Sequence, residues 1–457
     1  MNIQNMLKSL VLFLLFAVPL TSQSVYSQDF DCDFTQITNT LDGETRDVRT
    51  NSDGTLIVFV SDQNLTGSNI DGNLEIFLFD VNTSTFTQVT DTTSDSNVSP
   101  TMSFDGSLVV FASANDITGE NADGNGELFL LDTGTITITQ ITDTMGGGQG
   151  FSHRFPIINS NGTHIALVSN RDHTGNNADG NPEVFLLNIN ALTFTQITDT
   201  TVISHNLRAG ISSDGTIVSF DSEGDLTGDN ADLNQELFIY DADTDTITQA
   251  TDSTGGTNQS NRSPSVSPDG SLVVFESDLD LTGNNPDGNV EMFFFDSVTD
   301  NITQITNTDS VNRSPIFTPD GRAFRFNSNG DFTGDNPDGN LELFLYDLGD
   351  DIFLQVTDSI GGFGFGASFN SDLTFLATTY NRDLTGDNPD DNTEVFIAEC
   401  LAIVQSSNES SGGGCSLASN NTEKTELFGV FALFMLLPLV AILRRKNRRK
   451  KIMSHME

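Results

Sequence analysis

A stretch of 17 residues recurs seven times along the chain, and this repetition constrains the fold more than any other feature. One copy reads "DLTGNNPDGNVEMFFFD", from Asp280 to Asp296. Every copy has a glutamate at the same place, and successive glutamates are 51 to 56 residues apart. They are Glu75, Glu127, Glu183, Glu236, Glu291, Glu342 and Glu394. A period of this size indicates a propeller, a solenoid or another array rather than a set of independent domains.

Each repeat contains four short segments that are typical of β-strands. In the repeat around Glu291 they are "NRSPSVS", "SLVVFES" after the turn Pro268 to Gly270, "VEMFFFD" and "NITQIT". No segment has convincing helical periodicity. The sequence therefore predicts an all-β fold, a seven-bladed β-propeller of four-stranded antiparallel blades over residues 29–400. An open β-solenoid is the alternative, and the even strand lengths and the lack of capping repeats count against it.

The two ends of the chain predict an exported protein with a membrane segment. Residues 1–28 combine Lys8 with the apolar run "LVLFLLFAVPL", as in a signal peptide. Residues 401–425 form a flexible Ser/Gly/Asn linker, 426–443 contain a charge-free apolar run that predicts a transmembrane helix, and 444–457 carry the basic cluster "RRKNRRKK". Because such clusters stay cytoplasmic, the repeats are expected across the inner membrane, in the cell envelope or at the surface.

The two ends of the repeat region are complementary. The segment "DFTQIT" at Asp33 to Thr38 matches the last strand of a blade, whereas the last repeat stops after "EVFIAEC" without one. We therefore expect the N-terminal strand to close the ring. The same alignment places Cys32 and Cys400 on the two flanks of a hairpin turn, which suits a disulfide in an exported protein.

The formal charge of -45 excludes nucleic acid as a partner, because a negative field repels a phosphate backbone. The repeat region has no lysine and ten arginines. Five of these precede the turn between the first and second strands, and we call them the arginine mouth: Arg46, Arg154, Arg208, Arg262 and Arg313. If the first strands line a central channel, this group rings one opening and suits a carboxylate, a phosphate or an acidic peptide. Internal pairing with Asp of neighbouring blades is the alternative.

The recurrent loop has two interpretations. Its fixed length and its oxygen-bearing residues suit calcium, for which the candidate ligands in two copies are Asp280, Asn284, Asp287 and Glu291, and Asp331, Asp335, Asp338 and Glu342. However, the glycine stands at position nine rather than six of the loop, and Asx side chains with Asp-Gly pairs form turns without a cation. Calcium is thus possible, and no other cofactor is predicted.

The turns and strands "SPDGSLVVF" and "TPDGRAFRF", followed by "TQIT"-like strands, resemble the repeats of TolB-like β-propellers over residues 30 to 400. The resemblance implies a scaffold for binding more strongly than any reaction. The tail is similar to a GlyGly-type sorting signal, whose motif is Gly412, Gly413, Gly414 and Cys415. That likeness implies release by a sorting protease, with a permanent membrane anchor as the alternative.

Catalytic motifs such as G-x-S-x-G and H-E-x-x-H are absent from the sequence. The favoured function is an extracytoplasmic binding or scaffold protein, a monomer that recognises a protein or an anionic ligand at the channel mouth, and not an enzyme. The alternative is a propeller enzyme, carbohydrate-active or a lyase. An enzyme should show polar residues confined to particular blades, whereas a scaffold can keep its faces nearly equivalent.

Overall fold

The computed structural model describes residues 30–401 except 41–42, 95–96, 146–152, 201–207, 255–259 and 362–363. Within this part, 28 strands form seven separate four-stranded sheets, and all strand pairs are antiparallel. The predicted seven-bladed propeller is therefore confirmed. The described residues contain no helix with the length and hydrophobicity of a membrane span. The predicted signal peptide, sorting motif, transmembrane helix and basic tail lie outside them.

The chain order of the strands repeats in every blade. The first strands are β2 (Thr45–Thr50), β6 (Val98–Met102), β10 (His153–Ile158), β14 (Ala209–Ile211), β18 (Asn261–Val266), β22 (Asn312–Phe317) and β26 (Gly364–Phe369). The second strands are β3 (Leu56–Ser61), β7 (Leu108–Ser113), β11 (His164–Ser169), β15 (Ile217–Ser222), β19 (Leu272–Ser277), β23 (Ala323–Ser328) and β27 (Phe375–Tyr380). The blades they begin are numbered 1 to 7 in this order.

The outer half of each blade follows the same scheme. The third strands are β4 (Glu75–Asp80), β8 (Glu127–Asp132), β12 (Glu183–Asn188), β16 (Glu236–Asp241), β20 (Glu291–Asp296), β24 (Glu342–Asp347) and β28 (Glu394–Cys400). The fourth strands are β5 (Thr85–Gln88), β9 (Thr137–Gln140), β13 (Thr193–Gln196), β17 (Thr246–Gln249), β21 (Asn301–Gln304), β25 (Ile352–Gln355) and, for blade 7, β1 (Cys32–Gln36).

Packing between blades explains why the second and third strands are almost continuously apolar. Both faces of each sheet are covered, so a strand such as β3 is buried along nearly its whole length. Val58 and Val60 of blade 1 pack against Val109 and Phe111 of blade 2 in one cluster. The fourth strands lie at the outer edge, and their side chains alternate between exposed and half-buried. The core therefore lies between the blades.

The seven recurrent glutamates are buried hydrogen-bond acceptors rather than surface groups. Glu291 is 0% exposed, and its carboxylate accepts hydrogen bonds from the Thr306 hydroxyl, from the Thr308 amide at 2.6 Å and from Asn312 Nδ2 at 2.9 Å. Asn312 begins the first strand of the next blade. Each such glutamate therefore joins the third strand to the end of the fourth, and this one also joins two blades. Sequence analysis had considered Glu291 and Glu342 only as calcium ligands or turn residues.

Blade 7 is completed by the N-terminal strand, as predicted. β1 pairs with β28 in a register that places Cys32 opposite Cys400, and these two cysteines form a disulfide. Glu394 takes its fourth-strand partners from the other end of the chain, namely the Thr38 hydroxyl and the Thr40 amide. The closed ring thus reproduces the hydrogen bonds of an ordinary blade.

A second set of contacts runs around the axis through the turns that follow the first strands. The Ser52 amide donates to Phe104 O at 2.8 Å, and the Ser213 amide donates to Pro268 O at 2.9 Å. Between blades 7 and 1, the Ser371 amide donates to Ser52 O at 2.8 Å. Blades 5 and 6 have Pro268 and Pro319 at the donor position, and proline has no N–H to donate. The chain of backbone bonds is therefore interrupted on both sides of blade 6.

Candidate functional site

The first strands form the inner edges of the sheets, and neighbouring first strands lie against each other around the axis. Most of them carry a β-bulge after their second residue, as between Arg46 and Arg49 in β2. Bulge residues in the left-handed region include Asp47, with φ of 57°, and Phe155, with φ of 48°. A bulge redirects the side chains around it, and Phe155 tolerates this conformation less well than Asp47. The bulges thus shape the channel wall.

The arginine mouth lies at the beginning of the first strands, and its members have different partners. Arg46 pairs with Glu44 at 2.7 Å and with Asp47 at 3.7 Å, both close in sequence. Arg262 pairs with Glu276 of its own blade at 3.4 Å. The predicted alternative, internal pairing with acidic residues, therefore holds for these two arginines. Their partners do not come from neighbouring blades, however.

Two other members of the mouth make no ion pair with a carboxylate among the described residues, although the charge of Arg208 lowers the pKa of Asp221. Arg313 is exposed and makes no ion pair there. Arg208 is exposed too, and it donates from Nη1 to Ser263 Oγ at 2.8 Å while its guanidinium lies 5.8 Å from the Phe155 ring centroid. The backbone of Arg154 belongs to β10, but its side chain is outside the described part of the chain. The guanidinium of Arg313 is therefore available to an anion, whereas that of Arg208 also contacts Ser263 and acts on Asp221.

Polar residues that sequence reasoning missed stand on the second strands of blades 4 and 5. Asp221 and Glu276 occupy the place held by Val60 in blade 1, and they are 0% and 4% exposed. Gln235 donates to Asp221, and Ser263 donates to Glu276. Burial raises the pKa of Asp221 to about 7, against the opposing effects of Gln235 and Arg208. A buried carboxyl with such a pKa marks a functional candidate.

Several polar atoms of this sector are buried without a hydrogen-bond partner in the described structure. They are Ser219 Oγ, Asp221 Oδ1, Glu276 Oε2, Arg325 Nε and Thr379 Oγ1, and all lie on the second strands of blades 4 to 7. The equivalent residues of blades 1 to 3 are apolar, as in the case of Val60, Ala112 and Val168. Buried polar groups are normally paired, so these atoms indicate a place for a ligand or for ordered water. Polar groups thus replace apolar ones at these places of the second strands in blades 4 to 7.

The recurrent loops are held by side-chain hydrogen bonds. Asp280 Oδ1 accepts from the Asn285 amide at 2.9 Å, and Asn285 Nδ2 donates to Asn289 O at 2.9 Å. Asn284 and Asp287 are exposed, whereas Glu291 is buried. In the second copy, Asp331 Oδ1 accepts from the Asn336 amide at 3.0 Å, Asp335 is half-buried, Asp338 is exposed and Glu342 is buried. Over the described residues, no group of three His, Cys, Asp or Glu side chains is arranged to hold a metal ion.

A pair of histidines is specific to blade 3. His153 Nε2 lies 3.1 Å from His173 Nε2, and His153 Nδ1 lies 2.9 Å from Gly126 O of blade 2. The ring of His173 stacks on Phe194 with centroids 4.0 Å apart. Burial lowers the pKa of His153 to about 3 and that of His173 to about 4. Both rings are therefore neutral at physiological pH.

The described residues define a seven-bladed β-propeller in which buried polar residues stand on the second strands of blades 4 to 7. In overall structure the chain is similar to an oligogalacturonate lyase in complex with manganese, with a TM-score of 0.54, 16% identity, and coverage of 81% of this chain and 96% of that chain. It is equally similar to an oligogalacturonate lyase from Vibrio parahaemolyticus, with a TM-score of 0.54, 14% identity and the same coverage.

A TolB structure from Acinetobacter baumannii matches with a TM-score of 0.41 and 16% identity, over 68% of this chain and 63% of that chain. No family model matches the chain, and no curated protein is similar to it. At these identities the similarity to the two lyases shows the fold alone.

Proposed function

We propose that the chain is an extracytoplasmic binding propeller that recognises an anionic group, on a protein or a small ligand, at the arginine mouth. The observation that carries this proposal is the state of Arg208 and Arg313, which are exposed at one mouth and make no ion pair in the described part of the chain, although the charge of Arg208 also lowers the pKa of Asp221. The chain has a net charge of -45, so exposed guanidinium groups that make no ion pair are local positive sites on a negative protein. Their planar donors match carboxylate or phosphate oxygens.

The disulfide between Cys32 and Cys400 supports an extracytoplasmic location, because disulfides persist in oxidising compartments. Anchoring through residues 426–443 and processing at Gly412 to Cys415 remain part of the proposal. Mass spectrometry of the mature C-terminus distinguishes processing at the motif from permanent anchoring in the membrane. An end near the motif shows processing, whereas a protein that ends at Glu457 shows a permanent anchor.

Replacing Arg208 and Arg313 together by Gln tests the mouth directly. The buried carboxyl of Asp221, whose pKa Arg208 lowers, keeps its hydrogen bond from Gln235 in this variant. We expect the double variant to melt like the wild type and to lose binding of a short poly-glutamate peptide, measured by isothermal titration calorimetry. The matched control is Arg322→Gln with Arg382→Gln. These arginines pair with Asp320 at 3.7 Å and Asp391 at 3.0 Å, outside the mouth.

Binding that survives in the Arg208 and Arg313 variant but fails in the control excludes the mouth as the site. Added salt provides a second check, because exposed charge pairs are screened. Peptide binding by the wild type should therefore weaken as salt rises. If the wild type does not bind the peptide even at low salt, the proposed recognition of acidic peptides is wrong.

A lyase activity is the second candidate, and the blade-specific pair of buried carboxylates favours it. Asp221, with a pKa of about 7, suits proton transfer near neutral pH. The experiment is incubation with oligogalacturonate, with and without manganese, while the ultraviolet absorbance of an unsaturated product is followed. Activity that is lost in Asp221→Asn supports the lyase. If no product forms under either condition, oligogalacturonate lyase activity is rejected.

A further inference from the structure

We propose that Phe155 and Arg208 together bind a carboxylate that is carried on an aromatic ring, at the mouth of the channel. This inference rests on the proposed function, because it names the chemistry that the arginine mouth would select. The two residues come from neighbouring blades and are in contact, since Cζ of Arg208 lies 5.8 Å from the centroid of the Phe155 ring. A cation at this distance from an aromatic face is attracted by the ring.

The register of the strands places these residues side by side on the inner edge of the ring of blades. Equivalent pairs between first and second strands are Ile157 with Ala166, Gly210 with Ser219, and Ser265 with Val274. Two residues before these positions come Phe155 in blade 3, Arg208 in blade 4 and Ser263 in blade 5. Arg208 contacts the phenyl ring on one side and donates from Nη1 to Ser263 Oγ at 2.8 Å on the other. Three consecutive blades therefore contribute to one arc of the mouth.

A phenylalanine at this place departs from the repeat. The equivalent residues that share its left-handed backbone conformation are small and polar, namely Asp47, Ser99, Ser263 and Ser314. A bulky side chain adopts a positive φ with more difficulty, and Pro156 favours an extended conformation for the residue before it. Ser263 Oγ also donates to Glu276 Oε1 at 2.5 Å, whereas a phenyl ring forms no such bond. The local fold therefore does not account for Phe155.

Both members of the pair are accessible to solvent. Phe155 is 47% exposed, whereas Phe185 of the same blade and Phe220 of the next blade are 0% exposed. Arg208 is exposed too, and it makes no ion pair within the described residues. The guanidinium thus covers the phenyl ring only in part. An open apolar surface therefore lies beside a cation at the mouth.

This combination selects a ligand with two properties. A carboxylate matches the planar donors of a guanidinium group. An aromatic ring packs favourably against another ring or against the plane of a guanidinium group. Because the cation and the ring centroid of the pair are 5.8 Å apart, the carboxylate and the ring of the ligand must be separated by only a few bonds. Benzoate has this chemistry, and so does the last residue of a peptide that ends in phenylalanine.

The test measures binding to the wild type by isothermal titration calorimetry at constant ionic strength. The probes are benzoate, cyclohexanecarboxylate, N-acetylphenylalanine and its amide. Cyclohexanecarboxylate has a charge and a ring of similar size but no aromatic face, and the amide lacks the carboxylate. We expect benzoate to bind saturably and roughly 2- to 10-fold more tightly than cyclohexanecarboxylate, and the amide not to bind. Tighter binding of N-acetylphenylalanine than of benzoate assigns the site to a peptide C-terminus, and the reverse order assigns it to a small aromatic acid.

The variant Phe155→Ser copies blades 2, 5 and 6 and removes the ring without a change of charge. We expect it to melt at the temperature of the wild type or higher, to lose the preference for benzoate over cyclohexanecarboxylate, and to keep the binding of poly-glutamate. Phe155→Leu retains apolar volume and should show the same loss of preference. The matched control is Phe104→Ser, which copies the turns of blades 1, 3, 4 and 7 and removes another phenylalanine that is 40% exposed. It should bind benzoate as the wild type does.

Equal binding of benzoate and cyclohexanecarboxylate by the wild type overturns the inference, as does unchanged preference for benzoate in both variants of Phe155. Loss of poly-glutamate binding in Phe155→Ser also overturns it, because the ring would then only hold Arg208 in position. The proposed function fails separately. If the wild type binds poly-glutamate but not benzoate, the aromatic preference alone is rejected. If it binds benzoate through Phe155 but not poly-glutamate, recognition of acidic peptides is rejected and the present inference stands.

Discussion

The hydroxyl of Thr38 donates a hydrogen bond to the carboxylate of Glu394, although 356 positions separate the two residues in the chain. The same Thr-to-Glu bond occurs inside an ordinary blade between Thr306 and Glu291. The N-terminal strand therefore completes blade 7 with the chemistry of the repeat, and the disulfide between Cys32 and Cys400 fixes the result covalently.

Removal of this disulfide should lower stability without changing the fold. The bond closes a loop of 368 residues, and bonds of this kind contribute about 2–5 kcal/mol. We expect Cys32→Ser with Cys400→Ser to unfold at lower urea concentration than the oxidised wild type. The reduced wild type serves as the control and should match the variant. Identical midpoints for oxidised and reduced protein would mean that strand pairing alone closes the ring.

Glu291→Ala should be among the most damaging single substitutions in the propeller. It removes the acceptor of the Thr306 hydroxyl and of the Thr308 amide and one of the three acceptors of Asn312 Nδ2, with a cost on the order of 3–5 kcal/mol. Glu291→Gln should recover little, because its amide presents N–H groups to donors. The exposed Glu120 is the control, and its replacement by Ala should change the urea midpoint negligibly. Equal effects at the two positions would contradict the assigned role.

Acid should destabilise the protein through the histidines of blade 3. The folded-state pKa values of His153 and His173, about 3 and about 4, lie below the ordinary value of 6.5. The unfolded chain therefore binds more protons as pH falls from about 6.5 towards 4, and the free energy of unfolding decreases over that range. Of the neighbouring charges, Arg171 lowers both pKa values and Asp172 raises that of His173.

A variant that takes residues from other repeats separates the effect of the two histidines on acid stability from the effect of the many carboxylates. His153→Asn copies blades 2, 5 and 6, and His173→Leu copies blades 4, 5 and 7. Urea unfolding at about pH 7 and about pH 5 should show a smaller loss of stability in the double variant than in the wild type. Parallel losses in the two proteins would assign the acid sensitivity to other groups.

Hydrogen bonds such as the one from the Asn285 amide to Asp280 hold the loops without a cation. We therefore expect the same melting midpoint in millimolar calcium and in chelator. A saturable rise with calcium would show instead that the loops bind it, and Asp287→Asn together with Asp338→Asn should then reduce that rise. This pair keeps the side-chain size and removes only exposed charges.

Repetition made most of the fold predictable, and it concealed much of the site. Alignment of the repeats placed Cys32 beside Cys400 because every blade obeys one register. Asp221 and Glu276 were missed because the same alignment treats their place as the apolar one held by Val60. The departure from the repeat was itself a usable signal. The long-range partners of Arg208 were not predictable either, because they depend on how neighbouring blades pack around the axis.

Pro268 and Pro319 have a mechanical consequence. Because proline has no N–H, the turn of blade 6 forms no backbone hydrogen bond with the turns of blades 5 and 7. Such bonds join blade 1 to blade 2, blade 4 to blade 5, and blade 7 to blade 1. Its inner edge relies on contacts such as the Phe317 amide with Ser265 Oγ at 3.1 Å. The inner ring of backbone hydrogen bonds is therefore open at both interfaces of blade 6. Arg325 lies in that blade, so a buried guanidinium stands where the turns of the ring are joined by the fewest backbone hydrogen bonds.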